Sequence, residues 1–459
     1  MSKEIKVELI LLCIILISCI GVRVEPLKYT YPLGMDAYSH AVNARHILET
    51  GLPLTYDPLS WQGKPVIYPP IFPYSMALFM FLLPDLFAIS MVGVFFGVLG
   101  LCVFYVICRT EVGKKSALLA LILVGFSSAH IIKTSTNALA DSMSPLFLLA
   151  YLYFFGKSRS KALVVALIYP LVHASSILII PITGVYLILK YVGKEKILGG
   201  EIHTFILASI MVLGLSAGVY YPLIMGGISL NWIPEGIRHI AIEDIGFHEF
   251  LYRLGYLPFI LFMPGFLSKK RNLFFDSLFI CMAASILFGF METDRALYYL
   301  IFPLGFYSAV AFNLWIKNER RFYVIFILLL LVQGVIGYNS IHRLDWGIIT
   351  HEQYQGFLAL KETPEDSTIL ARIDNGHRIE FFAHRKNFIN GNLELAPNPE
   401  QRLRDYKKMI CGDLNLLSKY HIDYIYLGGE EVYQLRKKGC RLDFTVFYQN
   451  REIIILKVF

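Results

Sequence analysis

The chain has 459 residues, of which 56% are apolar and 17% charged, with a formal net charge of +7. A soluble domain carries about 25% charged residues, and a mean hydropathy of +0.56 leaves too little polar surface for a water-soluble protein of this length. These values exclude a disordered chain, a disulfide-stapled secreted domain and an ordinary cytosolic enzyme, and they leave a polytopic membrane protein.

The first apolar run, about 7–22, follows Lys3 and Lys6 and lacks a small-residue cleavage site, so it reads as a retained signal-anchor helix. Further apolar runs fall near 86–108, 116–133, 142–156, 162–174, 175–191, 203–226, 254–268, 273–291, 297–315 and 322–338. The stretch from Tyr68 to Leu83 opens on Pro69-Pro70 and Pro73 and closes at Pro84-Asp85. Reading it as an interfacial outer helix puts Lys114-Lys115, Lys157–Lys161, Lys190–Lys196, Lys269–Arg271 and Lys317–Arg321 all inside, with the N-terminal lysines. The register is therefore eleven spans, N-terminus inside and C-terminus outside. Basic residues clustered between apolar runs are cytoplasmic flanks, not a nucleic-acid surface.

This register sorts the acids. The outer loops are about 23–85, with Asp36 and Asp57; 134–141, with Asp141; and 227–253, with Glu235, Glu243, Asp244 and Glu249. Residues 1–338 form the transmembrane domain with these loops. Residues 339–459 are nearly balanced in charge and lack a spanning run, so they read as a small extracytoplasmic α/β domain. Within it Asp423–Leu427 reads as a buried strand, Leu414–Tyr420 as a helix, and Phe444–Tyr448 with Ile453–Phe459 as a hairpin. Cys411 and Cys440 lie in this tail and are able to pair on an oxidising side.

Phosphate-cradling glycine loops are absent: Val112-Gly113-Lys114-Lys115-Ser116 lacks the first glycine of a P-loop, and no G-x-G-x-x-G follows a strand. Two carboxylates stand at outer span mouths. Asp36 opens the segment Asp36-Ala37-Tyr38-Ser39-His40, and Asp141 follows Thr134-Ser135-Thr136-Asn137. Each has a plain reading as a helix cap. Each also has a functional one, because a carboxylate close to hydrocarbon is costly unless paired or metal-bound. Oxygen-only ligands favour Mg²⁺ or Mn²⁺, and the natural work of such an ion is to neutralise a departing phosphate. His40 and His173 read either as proton shuttles or as satisfied histidines.

The segments Asp36–Arg45, Tyr56-Asp57-Pro58 and Tyr68–Tyr74 resemble the first outer loop of oligosaccharyltransferase catalytic subunits, membrane glycosyltransferases of the GT-C fold. Asn137–Asp141 is similar to that family's second acidic motif, Ile240–Glu243 to its outer-loop motif ending in Glu, and Asp294–Tyr299 with Pro303 to its late Arg-aromatic-Pro span. Ile373-Asp374-Asn375-Gly376-His377 sits where its Trp-Trp-Asp-Tyr-Gly motif would begin the outer domain.

The resemblance implies an α-helical, GT-C-like membrane domain and a metal-dependent, inverting transfer from a polyprenyl-phosphate or polyprenyl-diphosphate sugar. The acceptor, a protein or a glycan, would be met on the outer face. It implies Asp36 and Asp141 as metal ligands and catalytic residues, with Glu243, rivalled by Glu235, as a third catalytic acid. It implies Arg295, with Tyr38 and His40, as donor-phosphate or acceptor contacts, and Asp374, Asn375 and His377 as an acceptor site. Two departures stand out. Ser142-Met143 follow Asp141 where a second acid is usual, and Arg372-Ile373 replace the tandem tryptophans. A non-catalytic accessory subunit and a transporter or flippase of lipid-linked saccharides are the alternatives.

Overall fold

A computed structural model describes residues 3–28, 31–32, 34–135, 138–225, 247–268, 270–316, 318–342, 348–440 and 443–458. Glu235 and Glu243 lie outside the described residues. By its contacts the chain divides into two units. The first comprises Met1–Lys28, Ser90–Val219 and Leu230–Asp345; the second comprises Tyr29–Ile89, Tyr220–Ser229 and Trp346–Phe459.

The first unit is helical. Among the described residues of the chain, six helices are long and apolar enough to span a membrane: Ile5–Lys28, Asp85–Val112, Ala174–Val192, Gly199–Tyr221, Thr293–Trp315 and Glu319–His342. Lys114–Gly125 and Ser128–Thr134 make a seventh, bent by 66°. Ile71–Leu82, Ala140–Phe155, Tyr256–Phe266 and Leu273–Phe288 are shorter apolar helices. Length thus supports six or seven of the eleven expected spans. The expected span at 162–174 is only the helix Arg159–Ile168, followed by short turns around Pro170, because proline ends the ladder of backbone bonds.

The Thr293–Trp315 helix is the core of this unit, with 89% of its most apolar window buried. Gly265 permits a close helix approach onto it, since a Cβ there would lie 1.8 Å from the Tyr307 carbonyl oxygen. Outer helices show large apolar residues outward, such as Ile17, Ile210 and Leu331, each more than 60% exposed. Such a belt is a lipid-facing surface.

Basic clusters assigned to the inside pair at one set of helix ends. Glu8 meets Arg109 and Lys114, Lys157 lies 3.7 Å from Glu111, and Lys115 lies 2.6 Å from Glu319. Lys133 ends the bent span opened by Lys114, Asp141 precedes the helix that Lys157 follows, and His173 and Arg295 stand at or before the first turns of two further helices.

The second unit contains a five-stranded sheet in the order β4-β3-β5-β7-β6. Its strands are β3 (Thr368–Leu370), β4 (Lys386–Asn387), β5 (Tyr424–Gly428), β6 (Thr445–Gln449) and β7 (Ile453–Lys457), and β1 (Tyr56–Asp57) pairs with β2 (Lys64–Pro65) apart from it. β3 runs parallel to β4 and β5, while β5–β7 and β7–β6 are antiparallel. The strand, helix and hairpin expected from the tail sequence occupy β5, Leu414–Lys419 and β6–β7. Cys411 and Cys440 form a disulfide. The first loop packs into this unit: Trp61 meets Phe388 at a tilt and Tyr420 edge-on, and its indole N–H donates to the Tyr420 carbonyl at 3.0 Å.

Candidate functional site

Asp141 sits in the single turn Ala140–Met143 that leads into the helix Ser144–Phe155, and its side chain is buried. Its two carboxylate oxygens face different partners. Oδ1 lies 2.9 Å from His173 Nε2. Oδ2 accepts from Lys133 Nζ at 3.2 Å and lies 3.6 Å from Arg295 Nε. Lys133 ends the bent span, His173 caps the turn opening the next helix, and Arg295 lies in the first turn of the core helix. Four helix ends therefore meet at one carboxylate.

The histidine's proton is placed by its cap. His173 Nδ1 accepts the Ser175 backbone N–H at 3.1 Å and lies 2.7 Å from Ser175 Oγ. An accepting Nδ1 leaves the proton on Nε2, directed at Asp141. Ser175 Oγ is held in turn by Ser144 Oγ at 2.8 Å, Tyr169 OH at 2.9 Å and Tyr299 OH at 2.8 Å. This buried hydroxyl network fixes the imidazole.

A second cation supports Lys133 from behind. Arg23, fully buried, donates to Thr134 Oγ1 at 2.8 Å, Cys19 O at 3.0 Å and Gly125 O at 2.8 Å, and lies 2.6 Å from His130 Nδ1. Gly125 O is a carbonyl freed where the span bends, so Arg23 satisfies the break that sets the direction of Lys133. Arg23 pairs with no carboxylate among the described residues. Arg295 also faces Glu292 at 3.3 Å.

The residues at Asp141 do not fit a resident divalent cation. An ion on Oδ2 would lie about 4 Å from Lys133 and Arg295, a repulsion of about 8 kcal/mol for each at an effective dielectric constant of about 20. Among the described residues no group of three or more His, Cys, Asp and Glu side chains stands ready to hold a metal.

The other expected site residues lie in the second unit. Asp36, in the first turn of the helix Asp36–Thr50, is exposed, and its side chain has no partner among the described residues. Tyr38 is buried between Phe381 and Phe382 and donates to the Pro32 carbonyl at 2.9 Å. His40 is buried against the Tyr68 and Phe72 rings. Arg45 reaches Asp85 at 2.9 Å and Phe381 O at 2.7 Å. Much of the first-loop motif thus seats this helix on its neighbours and leaves Asp36 outward.

Asp374, Asn375 and His377 lie on the helix Ile373–Ala383, which follows β3, and face different ways. Asp374 meets Arg372 at 3.2 Å, and Arg378 donates to Asn375 Oδ1 at 3.2 Å. Arg372 also lies 3.7 Å from Glu431, whose carboxyl burial pushes above its usual value. His377 turns inward, with Nδ1 2.7 Å from Glu380 Oε2, in a buried cluster with Asn387, Asn390, Lys64 and Asp57. Burial and the Glu380 charge push Asp57 up to about 6.

Lys133 was not singled out from sequence. A lone lysine at the outer end of a span, against the inside bias of every other cluster, was the available signal.

No protein-family model matches the chain, and no curated protein matches it in sequence. Solved structures do match. The oligosaccharyltransferase of Archaeoglobus fulgidus superposes with a TM-score of 0.68 at 13% identity, over 92% of this chain and 69% of its own. Other structures of that enzyme hold Zn and sulfate, or an inhibitory peptide and a dolichol-phosphate. ArnT from Cupriavidus metallidurans, also solved with undecaprenyl phosphate, gives 0.64 at 13% identity over 100% and 99% of the two chains. The mycobacterial arabinofuranosyltransferase AftD gives 0.58 at 10% identity, over 100% of this chain and 42% of its own. The chain has the GT-C fold shared by these membrane glycosyltransferases.

Proposed function

We propose that the chain is a membrane glycosyltransferase that moves a sugar or oligosaccharide from a polyprenyl-phosphate or polyprenyl-diphosphate donor to a protein or glycan acceptor on the outer face. The observation that carries this reading is the buried Asp141 carboxylate, held by Lys133, His173 and Arg295 where apolar helices end. A lipid phosphate arriving at the membrane surface meets two fixed cations there, with its chain beside the apolar helices. The fold supports the reading, since neighbours of the same fold have been solved with dolichol-phosphate and undecaprenyl phosphate.

Lys133 and Arg295 hold the donor phosphate and stabilise the charge that grows on it as the anomeric bond breaks. Asp141 and His173 keep these cations and the helix ends in place. The likeness of its loop to the first outer loop of oligosaccharyltransferases supports Asp36, exposed in the first turn of its helix, as a further catalytic carboxylate. The acceptor attacks the anomeric carbon from the side opposite the phosphate, which inverts its configuration. The Cys411–Cys440 disulfide supports an extracytoplasmic C-terminal region, because such bonds persist in oxidising compartments. Basic clusters at the far helix ends support the same orientation.

The test is transfer from a radiolabelled lipid-linked sugar in purified membranes. Asp36→Ala and Asp141→Ala are each expected to abolish it while the protein stays in the membrane. Wild-type transfer in either variant removes that residue from the mechanism. Movement of the lipid-linked sugar across the bilayer without transfer would favour a flippase.

A further inference from the structure

Resting on the glycosyltransferase reading, we propose that His377 is the base of the transfer. Its Nε2, oriented through Glu380, takes the proton of an acceptor hydroxyl in the gap between Gly391 and Met35. Both edges of the imidazole lead there. On one edge, Nδ1 lies 2.7 Å from Glu380 Oε2. The side-chain amides of Asn387 and Asn390 both donate to Oε1 of the same carboxylate, and Lys64 donates to Asn390 Oδ1. A carboxylate only accepts, so Nδ1 carries the ring proton and Nε2 keeps a lone pair. Lys64 and Asp57 of the first loop stand in the same cluster. An imidazole with one nitrogen held by a buried carboxylate and the other open has the arrangement of a general base.

On the other edge, Nε2 has no hydrogen-bond partner among the described residues, although His377 is only 1% exposed. A buried acceptor left unpaired costs stability and calls for a reason. A Cβ at Gly391 would lie 3.3 Å from Nε2 and 3.2 Å from Met35 Sδ, so the glycine keeps open a gap that the imidazole and Met35 border. Met35 is half-buried and directly precedes Asp36 at the start of its helix. Its unbranched side chain has three rotatable bonds, and a change of rotamer uncovers Nε2. In the transfer, an oxygen lone pair of the acceptor forms the bond to the anomeric carbon while the hydroxyl proton passes to Nε2. The bond from that carbon to the phosphate oxygen breaks, and its electron pair leaves with the lipid phosphate. The imidazolium, held by Glu380, then gives its proton to water. The acceptor is a hydroxyl, because an amide nitrogen has its lone pair in the carbonyl resonance and needs more than a base to attack.

The experiment measures transfer from the radiolabelled lipid-linked sugar in purified membranes, beside thermal unfolding of each full-length variant in detergent. His377→Gln keeps a donor for Glu380 and offers no basic nitrogen. His377→Ala leaves a space that free imidazole fits. Each is expected to lose about 100-fold or more of the transfer, the worth of a positioned base. Added imidazole is expected to restore part of it to His377→Ala and none to His377→Gln, which a purely structural role would not produce. Where His377→Ala does not fold, His377→Gln carries the test. Wild-type transfer by either folded variant, a folded His377→Ala that imidazole does not rescue, or a product with its sugar on an amide nitrogen overturns the inference and leaves the glycosyltransferase reading standing. Absence of transfer by the wild type overturns both.

Discussion

The Asp141 centre predicts an asymmetric double-mutant cycle between Asp141→Asn and Lys133→Met. At 3.2 Å and an effective dielectric constant of about 20, the pair attracts by about 5 kcal/mol before desolvation is charged against it. Removing one partner of a buried pair costs about 3–5 kcal/mol, because the other charge is stranded. Asp141→Asn strands Lys133 and removes one of the carboxylates facing Arg295, which keeps Glu292, so it belongs at the upper end. Lys133→Met leaves Asp141 with Arg295 and His173, so a loss of about 1–2 kcal/mol is expected. The double variant has one cation fewer to strand. It should be less damaged than the sum of the single changes by about 2 kcal/mol. The assay is thermal or denaturant unfolding of the four proteins in one detergent. Single changes that add to within about 0.5 kcal/mol, or a Lys133→Met loss equal to that of Asp141→Asn, would refute the account of Asp141 as the hub of the site.

Asp57→Asn tests the buried cluster of the second unit. A carboxyl pushed up to about 6 is protonated more readily in the folded chain than in the unfolded one, so wild-type stability falls as pH rises through that value. The amide keeps the Leu59 N–H acceptor at 3.0 Å without the buried charge. Asp57→Asn should therefore be more stable than the wild type at pH 7.5, by up to about 3 kcal/mol, and lose that advantage by about pH 4. Unfolding curves at the two pH values decide it, and a variant weaker at pH 7.5 contradicts it. Gly265→Ala should disrupt the core, since its Cβ would lie 1.8 Å from the Tyr307 carbonyl; an unchanged unfolding temperature in detergent refutes this contact. Cys411→Ser opens a link between residues 29 apart in sequence, and should destabilise the second unit by about 3–4 kcal/mol. Proteolysis rates with and without reductant read that loss, and equal rates would show that the bond carries none of it.

What was legible in the sequence was local or periodic. The β6–β7 hairpin and β5 announce themselves through apolar runs bounded by Gly428-Gly429 and Gln449-Asn450. β3 and β4 do not, because they are three and two residues long and owe their existence to parallel pairing with distant partners. The site divided the same way. Asp36 and Asp141 stood out as acids at span mouths. His173 and Arg295 stand out singly too, but their meeting with Lys133 at Asp141 does not, because the three come from separate helix ends. Tyr38 and His40 stand beside Asp36 in sequence, yet the periodicity of their helix turns both inward, onto Phe381, Phe382, Tyr68 and Phe72. Proximity along a helix is not proximity on one face.

The departure at the second acidic motif and the lysine beside it explain each other. Ser142 and Met143 are buried immediately after Asp141. A second carboxylate at 142 would be a buried charge needing its own counter-ion, the circumstance in which a metal becomes worth holding. With serine there, the site has a single buried carboxylate, and Lys133 and Arg295, the latter shared with Glu292, already balance it. The serine at 142 and Lys133 Nζ 3.2 Å from Asp141 are therefore two sides of one electrostatic arrangement, in which cations of the chain itself balance the one buried carboxylate.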